Sequence, residues 1–318
     1  MDANAIQLMS GTGKISNCTM PILTEGGYLL LDPIAFSDAA QIAALGGKLC
    51  VPTNWSKDLT GLPLIVDLGE CEAWQLDWLQ ELLVAEHETR RHRPLERAGI
   101  CAYLRATGSL DQLSSHLASQ LLVLPTDHNG NRYDGGALWR FFDPRVFANL
   151  CWMLEANHIA ALAGPMKIWV FPWFDGWFEY EIPVVDGIAR RAEQEPRIAG
   201  FMPIGMDLWQ RAQHIALINQ VAVRLALPRD LLYPQRAAWA QCIETALVVA
   251  ANLLHWESHE DQALYAEHSV RHGAAFQEHP KLMSYWTLRK QKKARGNWTE
   301  LTRLLTDEEH TALISSAP

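Results

Sequence analysis

The sequence lacks most of the patterns that would assign it a chemistry. It has no excess of positive charge: 27 Lys and Arg stand against 36 Asp and Glu, a net charge of -9. That balance argues against nucleic acid as a main partner, because binding phosphates needs a basic surface. It has no long apolar run either. The longest, Ala246 to Ala251, falls far short of the ~20 residues a membrane-spanning helix needs, so no membrane partner is expected. No basic flank leads into an apolar stretch after Asp2, so no secretory signal is expected. The six cysteines (Cys18, Cys50, Cys71, Cys101, Cys151 and Cys242) are widely spaced and form no C-x-x-C pair. In a chain of this size that spacing implies reduced, mostly buried thiols and a cytoplasmic protein. No G-x-S-x-G elbow supports a hydrolase nucleophile, and no carboxylate pair stands out for glycoside chemistry.

What the chain does have is length, core-forming residues and tryptophan. Its 318 residues are enough for two lobes, 49% of them are hydrophobic, and 13 are Trp. Strand patterns fall at Tyr28–Leu31, closed by Asp32-Pro33, then at Leu62–Leu68, Ile100–Leu104 and Leu122–Leu124. Between them Phe36–Leu45 reads as a short helix, Trp74, Trp78, Leu79, Leu82 and Leu83 mark an amphipathic one, and Ser109–Gln112 forms a capping box ahead of a Leu110–Leu121 stripe. Lys167–Phe171 is a further strand with Trp177–Ile182 as its hairpin partner. From Pro203 onward the pattern is helix after helix: Leu208–Ala222, Ala237–Leu254, Glu260–His272 ended by Gly273, and Tyr285–Leu305. The charged stretch 188–198 reads as a linker. The expected fold is therefore an α/β (α+β) N-terminal lobe with a mixed sheet over 1–198, followed by an all-helical lobe over 199–318.

The middle of the chain carries the densest signal, Trp139-Arg140-Phe141-Phe142-Asp143-Pro144-Arg145-Val146. Leu138–Phe142 suits a pleated, half-buried strand. Asp143 offers a carboxylate to the free N–H groups of a helix, and Pro144 is pre-set for its first position. Val146, Leu150 and Leu154 then follow at helical spacing. Arg140 and Arg145 bracket the cap. As an anion clamp they would serve catalysis, but the Asp-Pro helix entry explains the segment without a substrate, with an arginine pairing to Asp143 or to a neighbouring carboxylate.

Other patterns fall short. Ser10–Lys14 resembles a phosphate loop, yet Leu8 stands where a Gly is required and Ile15 where Ser or Thr is. Asp127, Asn129 and Asn131 match the first positions of a calcium loop, but Arg132 and Leu138 replace its Gly and Glu, so Asp127–Gly136 reads as a hairpin turn. His255 and His259, like His268 and His272, are four apart and can share a helix face. Trp256 takes the place of the metalloprotease Glu, and a solvated helix explains the four histidines equally well. A metal-dependent hydrolase built on them is the alternative from another functional class, and no metal or other cofactor is expected. The basic run Arg289, Lys290, Lys292, Lys293 and Arg295 reads as a solvated helix face.

Trp-Arg-Phe-Phe-Asp-Pro-Arg-Val resembles the hallmark segment of the type VI secretion adaptor (chaperone) family, whose usual form is Phe-Arg-Phe-Tyr-Asp-Pro-Arg-Val. Arg140, Phe141, Asp143, Pro144, Arg145 and Val146 match directly; Trp139 and Phe142 are mild departures. Tyr28–Asp32 resembles the opening strand of the family, Leu62–Val66 its Pro-led second strand, and the helix to Leu121, the Gly130 turn and Gly164-Pro165 follow in order. The resemblance covers roughly 28–172, and the helical part fits more loosely through Gly273–Phe276. It implies a non-enzymatic cytoplasmic protein that binds a toxic effector and helps load it onto the VgrG spike, with no catalytic residue. Exposed aromatics are then plausible anchors, since Trp and Tyr dominate interface hot spots. Trp173, Trp177 and Tyr180 are the candidates, with packing inside the hairpin as the competing reading. A toxin-neutralising, immunity-like protein is a further alternative.

Overall fold

The computed structural model describes residues 14–53, 55, 58–127, 131, 136–183, 201–293, 296–306 and 308–309. The chain divides into two compact units, Met1–Ala212 and Gln213–Pro318. The linker expected at 188–198 lies outside the described residues.

The first unit is built on a seven-stranded sheet. Its strands are β1 (Lys14–Cys18), β2 (Tyr28–Leu31), β3 (Lys48–Leu49), β4 (Leu64–Asp67), β5 (Ile100–Ala106), β8 (Met166–Trp173) and β9 (Gly176–Glu181), in the order β1-β9-β8-β5-β2-β4-β3. Every neighbouring pair in it is antiparallel. A separate three-stranded sheet joins β6 (Leu122–Thr126) in parallel to β10 (Met202–Gly205) and antiparallel to β7 (Ala137–Leu138). The expected single mixed sheet is thus two sheets, and only the smaller is mixed. Apolar alternation fixes which face of a strand is buried, but not which strand lies beside it.

Alternation along β8 and β9 explains how both faces of the large sheet are covered. Val170 and Trp177 join Leu29, Leu31, Val66, Ile100 and Tyr103 in a core with Leu79 and Leu83 of α2 (Ala73–His92). The intervening residues face the other way. Trp169 stacks on Phe147 of α4 (Pro144–Met153) at 4.4 Å between ring centroids, and Phe171 and Tyr180 meet the same ring edge-on. Such pairs each add about 0.5–1.5 kcal/mol beyond the apolar area they bury. Among the described residues the remaining helices of this unit are α1 (Ala39–Ala43), α3 (Leu110–Gln120), α5 (Ala156–Ala163) and α6 (Met206–Gln213). The capping box at Ser109 is present: its hydroxyl accepts from Gln112 N, and the Gln112 side chain accepts from Ser109 N.

The second unit contains α7 (Ile215–Arg224), α8 (Tyr233–Val248), α9 (His259–Gln277), α10 (Pro280–Lys290) and α11 (Trp298–Thr302). The stripe expected from Leu208 to Ala222 is broken at His214. No residue of α6 is buried, whereas Ile215, Ile218, Val221 and Ala222 of α7 are core. Gly273 adopts non-helical φ +53, so the run His259–Gln277 is two helical segments meeting at a kink where the sequence places the helix end; glycine takes that conformation freely.

Helix α8 unwinds at its end into a π-helical turn over Val249–Leu253, after which His255 enters the left-handed region at φ +54. That exit leaves carbonyls without helical partners. Arg289 of α10 takes them: its Nε donates to Leu254 O at 2.8 Å and its Nη2 to His255 O at 3.0 Å, while Nη1 reaches Gly296 O at 3.0 Å. The guanidinium lies 3.8 Å from the centre of the Trp256 ring. Arg289 is buried, which corrects the expectation that the whole basic run is a solvated face. Among the described residues no carboxylate pairs with it, so carbonyl dipoles at a helix end and an aromatic face hold the charge. Arg289→Ala should therefore lower the stability of the helical unit by about 2–4 kcal/mol, because it strands buried acceptors as well as removing bonds to a cation. Arg289→Lys should recover little of this, since an ammonium has no planar fork. Urea unfolding followed by tryptophan fluorescence measures both.

Candidate functional site

The hallmark segment folds differently from the strand expected over Leu138–Phe142. The ladder ends at Leu138, after which Trp139 N donates to Leu121 O at 2.7 Å. Asp143 N then closes a turn on Arg140 O at 3.0 Å. Phe141 and Phe142 are fully buried in this turn, where their size fills space between layers. The helix entry is as the sequence implies. Asp143 caps α4 by accepting from Arg145 N at 3.0 Å, and Pro144 stands at the start of the helix.

The two arginines have separate employment. Arg145 folds back on the cap, with Nε 3.0 Å from Asp143 Oδ1 and Nη2 2.6 Å from Oδ2, and its Nη1 donates to Leu95 O. Arg140 reaches across the fold to Asp32, at the end of β2, with Nη2 2.5 Å from Oδ2. Its Nη1 donates to Gly61 O at 3.0 Å, and its guanidinium covers the Phe142 ring at 4.7 Å. Gly61 accepts this approach with φ +83, a conformation that favours glycine.

Asp32 is the centre of the arrangement. It is 1% exposed, and the same Oδ2 also accepts from Arg97 Nε at 2.5 Å. Its other oxygen is buried and has no donor among the described residues. Like Asp143, Asp32 precedes a proline, yet its side chain makes no cap to the short 3-10 turn Pro33–Ala35. The carboxylate is committed to the arginines instead. The loop carrying Arg97 is fixed from behind: Asp32 N donates to Gly99 O at 2.8 Å, and Glu86 of α2 accepts from Gly99 N at 2.9 Å and Ile100 N at 3.1 Å. Burial pushes the Glu86 carboxyl up, against the pull of Arg90 and these amides. A Cβ on Gly99 would sit 2.5 Å from the Phe36 ring and 2.6 Å from Glu86, so any larger residue there must displace one of these side chains.

Three segments remote in sequence, those of Asp32, Arg97 and Arg140, therefore meet at one carboxylate. Sequence reasoning finds Arg140, Phe141, Asp143, Pro144 and Arg145 but misses Asp32, Arg97 and Glu86. The available signal is the composition of β2: a carboxylate that directly follows Leu29-Leu30-Leu31 ends up buried and needs a cation.

The candidate anchors Trp173, Trp177 and Tyr180 are core residues, 1%, 5% and 0% exposed. Trp177 lies on the α2 face, beneath Arg90 at 5.2 Å, while Tyr180 packs on the α4 face against Phe147. They offer no surface to a partner, and the reason is hairpin alternation with both faces covered. Of the two histidine pairs, only His268 and His272 meet the shared-face expectation. His255 precedes α9 and only His259 belongs to it. His268 and His272 do neighbour each other on α9, with ring centroids 5.5 Å apart, but His268 packs against Trp298 at 4.9 Å in an aromatic cluster. Among the described residues no group of three His, Cys, Asp or Glu side chains is arranged to hold a metal. Of the phosphate-loop look-alike only Lys14, the first residue of β1, is among the described residues, and most of the 127–136 loop lies outside them; Asp127 accepts from Asn131 N at 2.8 Å, as in a turn.

Compared with known proteins, the chain matches no family model, no curated protein and no solved structure.

The geometry ranks two substitutions. Asp32→Ala leaves two guanidiniums without their counter-ion and should cost about 3 kcal/mol, the low end for a broken buried pair because water reaches both arginines. Asp143→Ala removes a cap and should cost about 0.5–2 kcal/mol, with Asp143→Asn milder because it keeps a capping oxygen. Chemical denaturation of the purified variants tests the order. Unchanged stability in both would mean that the segment is a surface and not a fastening.

Proposed function

We propose that the chain is a non-enzymatic adaptor, or chaperone, that binds a type VI secretion effector in the cytoplasm and loads it onto the VgrG spike. The observation that carries this reading is the Trp139–Val146 segment, which resembles the adaptor hallmark at six of its eight positions, departing at Trp139 and Phe142. Its charged side chains support a role without catalysis. Arg140 and Arg145 are the groups that would suit a substrate anion, yet they are engaged with Asp32, with Asp143 and with the Gly61 and Leu95 carbonyls. A signature spent on fastening one fold to itself can mark a family without touching its cargo.

Composition supports the proposed partners. A net charge of -9 disfavours nucleic acid, and among the described residues no helix is long and apolar enough to cross a membrane. The partners on this reading are two proteins, an effector toxin and the VgrG spike, and no cofactor is involved.

Co-purification of the tagged chain with the products of the neighbouring genes, a toxin and a spike protein being sought among them, provides the test. The adaptor should retain both and bridge them in one complex. Retention of the toxin alone points to an immunity-like protein. Retention of neither, or stoichiometric zinc in the purified protein that is lost on His268→Ala, contradicts the adaptor reading.

A further inference from the structure

Charge lies along this chain in two opposite blocks. Residues 58–89 hold eight Asp and Glu and no Lys or Arg, whereas residues 279–299 hold six Lys and Arg and no Asp or Glu. The acidic block takes in most of α2, and the basic block runs through α10 and beyond its end.

The register of α2 sets its outward residues in one line. Gln75, Leu79, Leu83 and Arg90 are the buried side of the helix. The opposite side carries Trp74, Asp77, Glu81, Val84 and Glu88, all exposed. Each lies three or four positions from the next, so the five are successive neighbours on one helix face about 21 Å long. Trp74 and Val84 are 52% and 44% exposed, so two large apolar groups stand among the carboxylates. The indole is held in place, its Nε1 donating to Glu72 Oε2 at 2.6 Å. The ion pairs within α2 are Arg90 with Glu86 and Arg91 with Glu88; among the described residues Asp77 and Glu81 have none.

The basic block stands on an equally fixed backbone. Lys290 is the last residue of α10. Beyond it Lys292 N donates to Arg289 O and Lys293 N to Leu288 O, both at 2.8 Å, with Lys292 at φ +56. This is the paired closure of a helix C-terminus, with lysine at the position that usually takes glycine. The buried Arg289 ties the same turn to the Leu254 and His255 carbonyls. Lys290, Lys292 and Lys293 are exposed and have no ion pair among the described residues. Leu288 beside them in sequence is 45% exposed.

We propose that the outward face of α2 docks the basic end of α10 from a second copy of this chain. The occupant follows from charge complementarity, because the chain itself carries a helix end that matches the acidic face. Asp77 and Glu81 take the lysine ammonium groups, and Trp74 offers its ring to an ammonium or to the aliphatic stem of a lysine. Exposed ion pairs are individually weak, so the contact is sensitive to salt, and its selectivity comes from the match of charge. The proposal goes beyond the adaptor reading and does not depend on it.

Sedimentation equilibrium of the full chain tests the proposal. At about 10 mM salt, where charges act over about 30 Å, the mass should rise above one chain with concentration; at about 1 M, where they act over about 3 Å, it should return to one chain. Asp77→Lys with Glu81→Lys should weaken self-association about tenfold or more, although it lowers the net negative charge and so the general repulsion between copies. Lys290→Glu with Lys293→Glu should weaken it similarly. The chain carrying all four exchanges should associate again, which also shows that each pair of exchanges leaves the fold intact. A mass of one chain at low salt throughout, or no recovery in the fourfold variant, overturns the proposal. So does an Asp77→Lys, Glu81→Lys variant that self-associates as before but loses a protein the unmodified chain retains, since the face then serves that partner. Loss of self-association leaves the adaptor reading standing, and failure of co-purification leaves this contact standing.

Discussion

One buried carboxylate, shared by two guanidiniums, sets the arrangement of the first unit. Asp32 lies 65 residues from Arg97 and 108 from Arg140, and both reach the same oxygen. Through Arg140 the carboxylate also fixes the Gly61 turn, and through its own backbone it fixes the loop that opens β5. A buried ion pair is weak support for stability, because desolvation offsets much of its Coulomb energy. Its value lies in selectivity. Hydrophobic contacts among Leu, Ile and Phe tolerate many arrangements of the loops above a sheet, whereas a carboxylate with two short bonds tolerates few. The aromatic stack of Phe147 on Trp169 supplies cohesion between α4 and the sheet, and the ion cluster supplies position.

The helical unit solves a related problem with the opposite charge. There a buried arginine, Arg289, gathers the carbonyls exposed where α8 unwinds and α10 ends, with Trp256 beneath it. In both units a guanidinium binds main-chain carbonyls of loops that have no regular partner. Planar, multiply donating and always charged, it can satisfy several acceptors from one buried position. This economy explains why the charged residues flagged in the sequence as possible chemistry turn out to be committed to the fold.

Local features were legible in the sequence because local physics decides them. The Asp143-Pro144 helix entry, the Ser109–Gln112 capping box and the β8–β9 hairpin depend on residues within a few positions of one another. The order of sheet-rich and helical parts was legible, but the helical pattern begins later than the expected Pro203, because Met202–Gly205 is strand β10, paired with β6. What remained hidden depends on remote partners. Nothing near Asp32 announces Arg140, and its Asp-Pro sequence imitates a cap that it does not make. Arg289 sits in a run of basic residues, where only the unwinding of α8 reveals an acceptor for it. The division into a seven-stranded antiparallel sheet and a small mixed one was equally out of reach, since alternation says nothing about neighbours. Trp173, Trp177 and Tyr180 were ambiguous for the same reason: alternation gives them two faces, and only the placement of α2 and α4 shows that both are covered.

The central claim is that the hallmark segment works as a fastening, through the bond between Arg140 and Asp32. A double-mutant cycle measures it most directly: Asp32→Ala, Arg140→Ala and the pair together, each unfolded in urea. If the fastening is real, the two losses are not additive, and the coupling energy is about 1 kcal/mol or more. If the losses add within about 0.3–0.5 kcal/mol, as independent sites do, the two groups do not hold each other. The segment would then owe its residue order to something other than the fold.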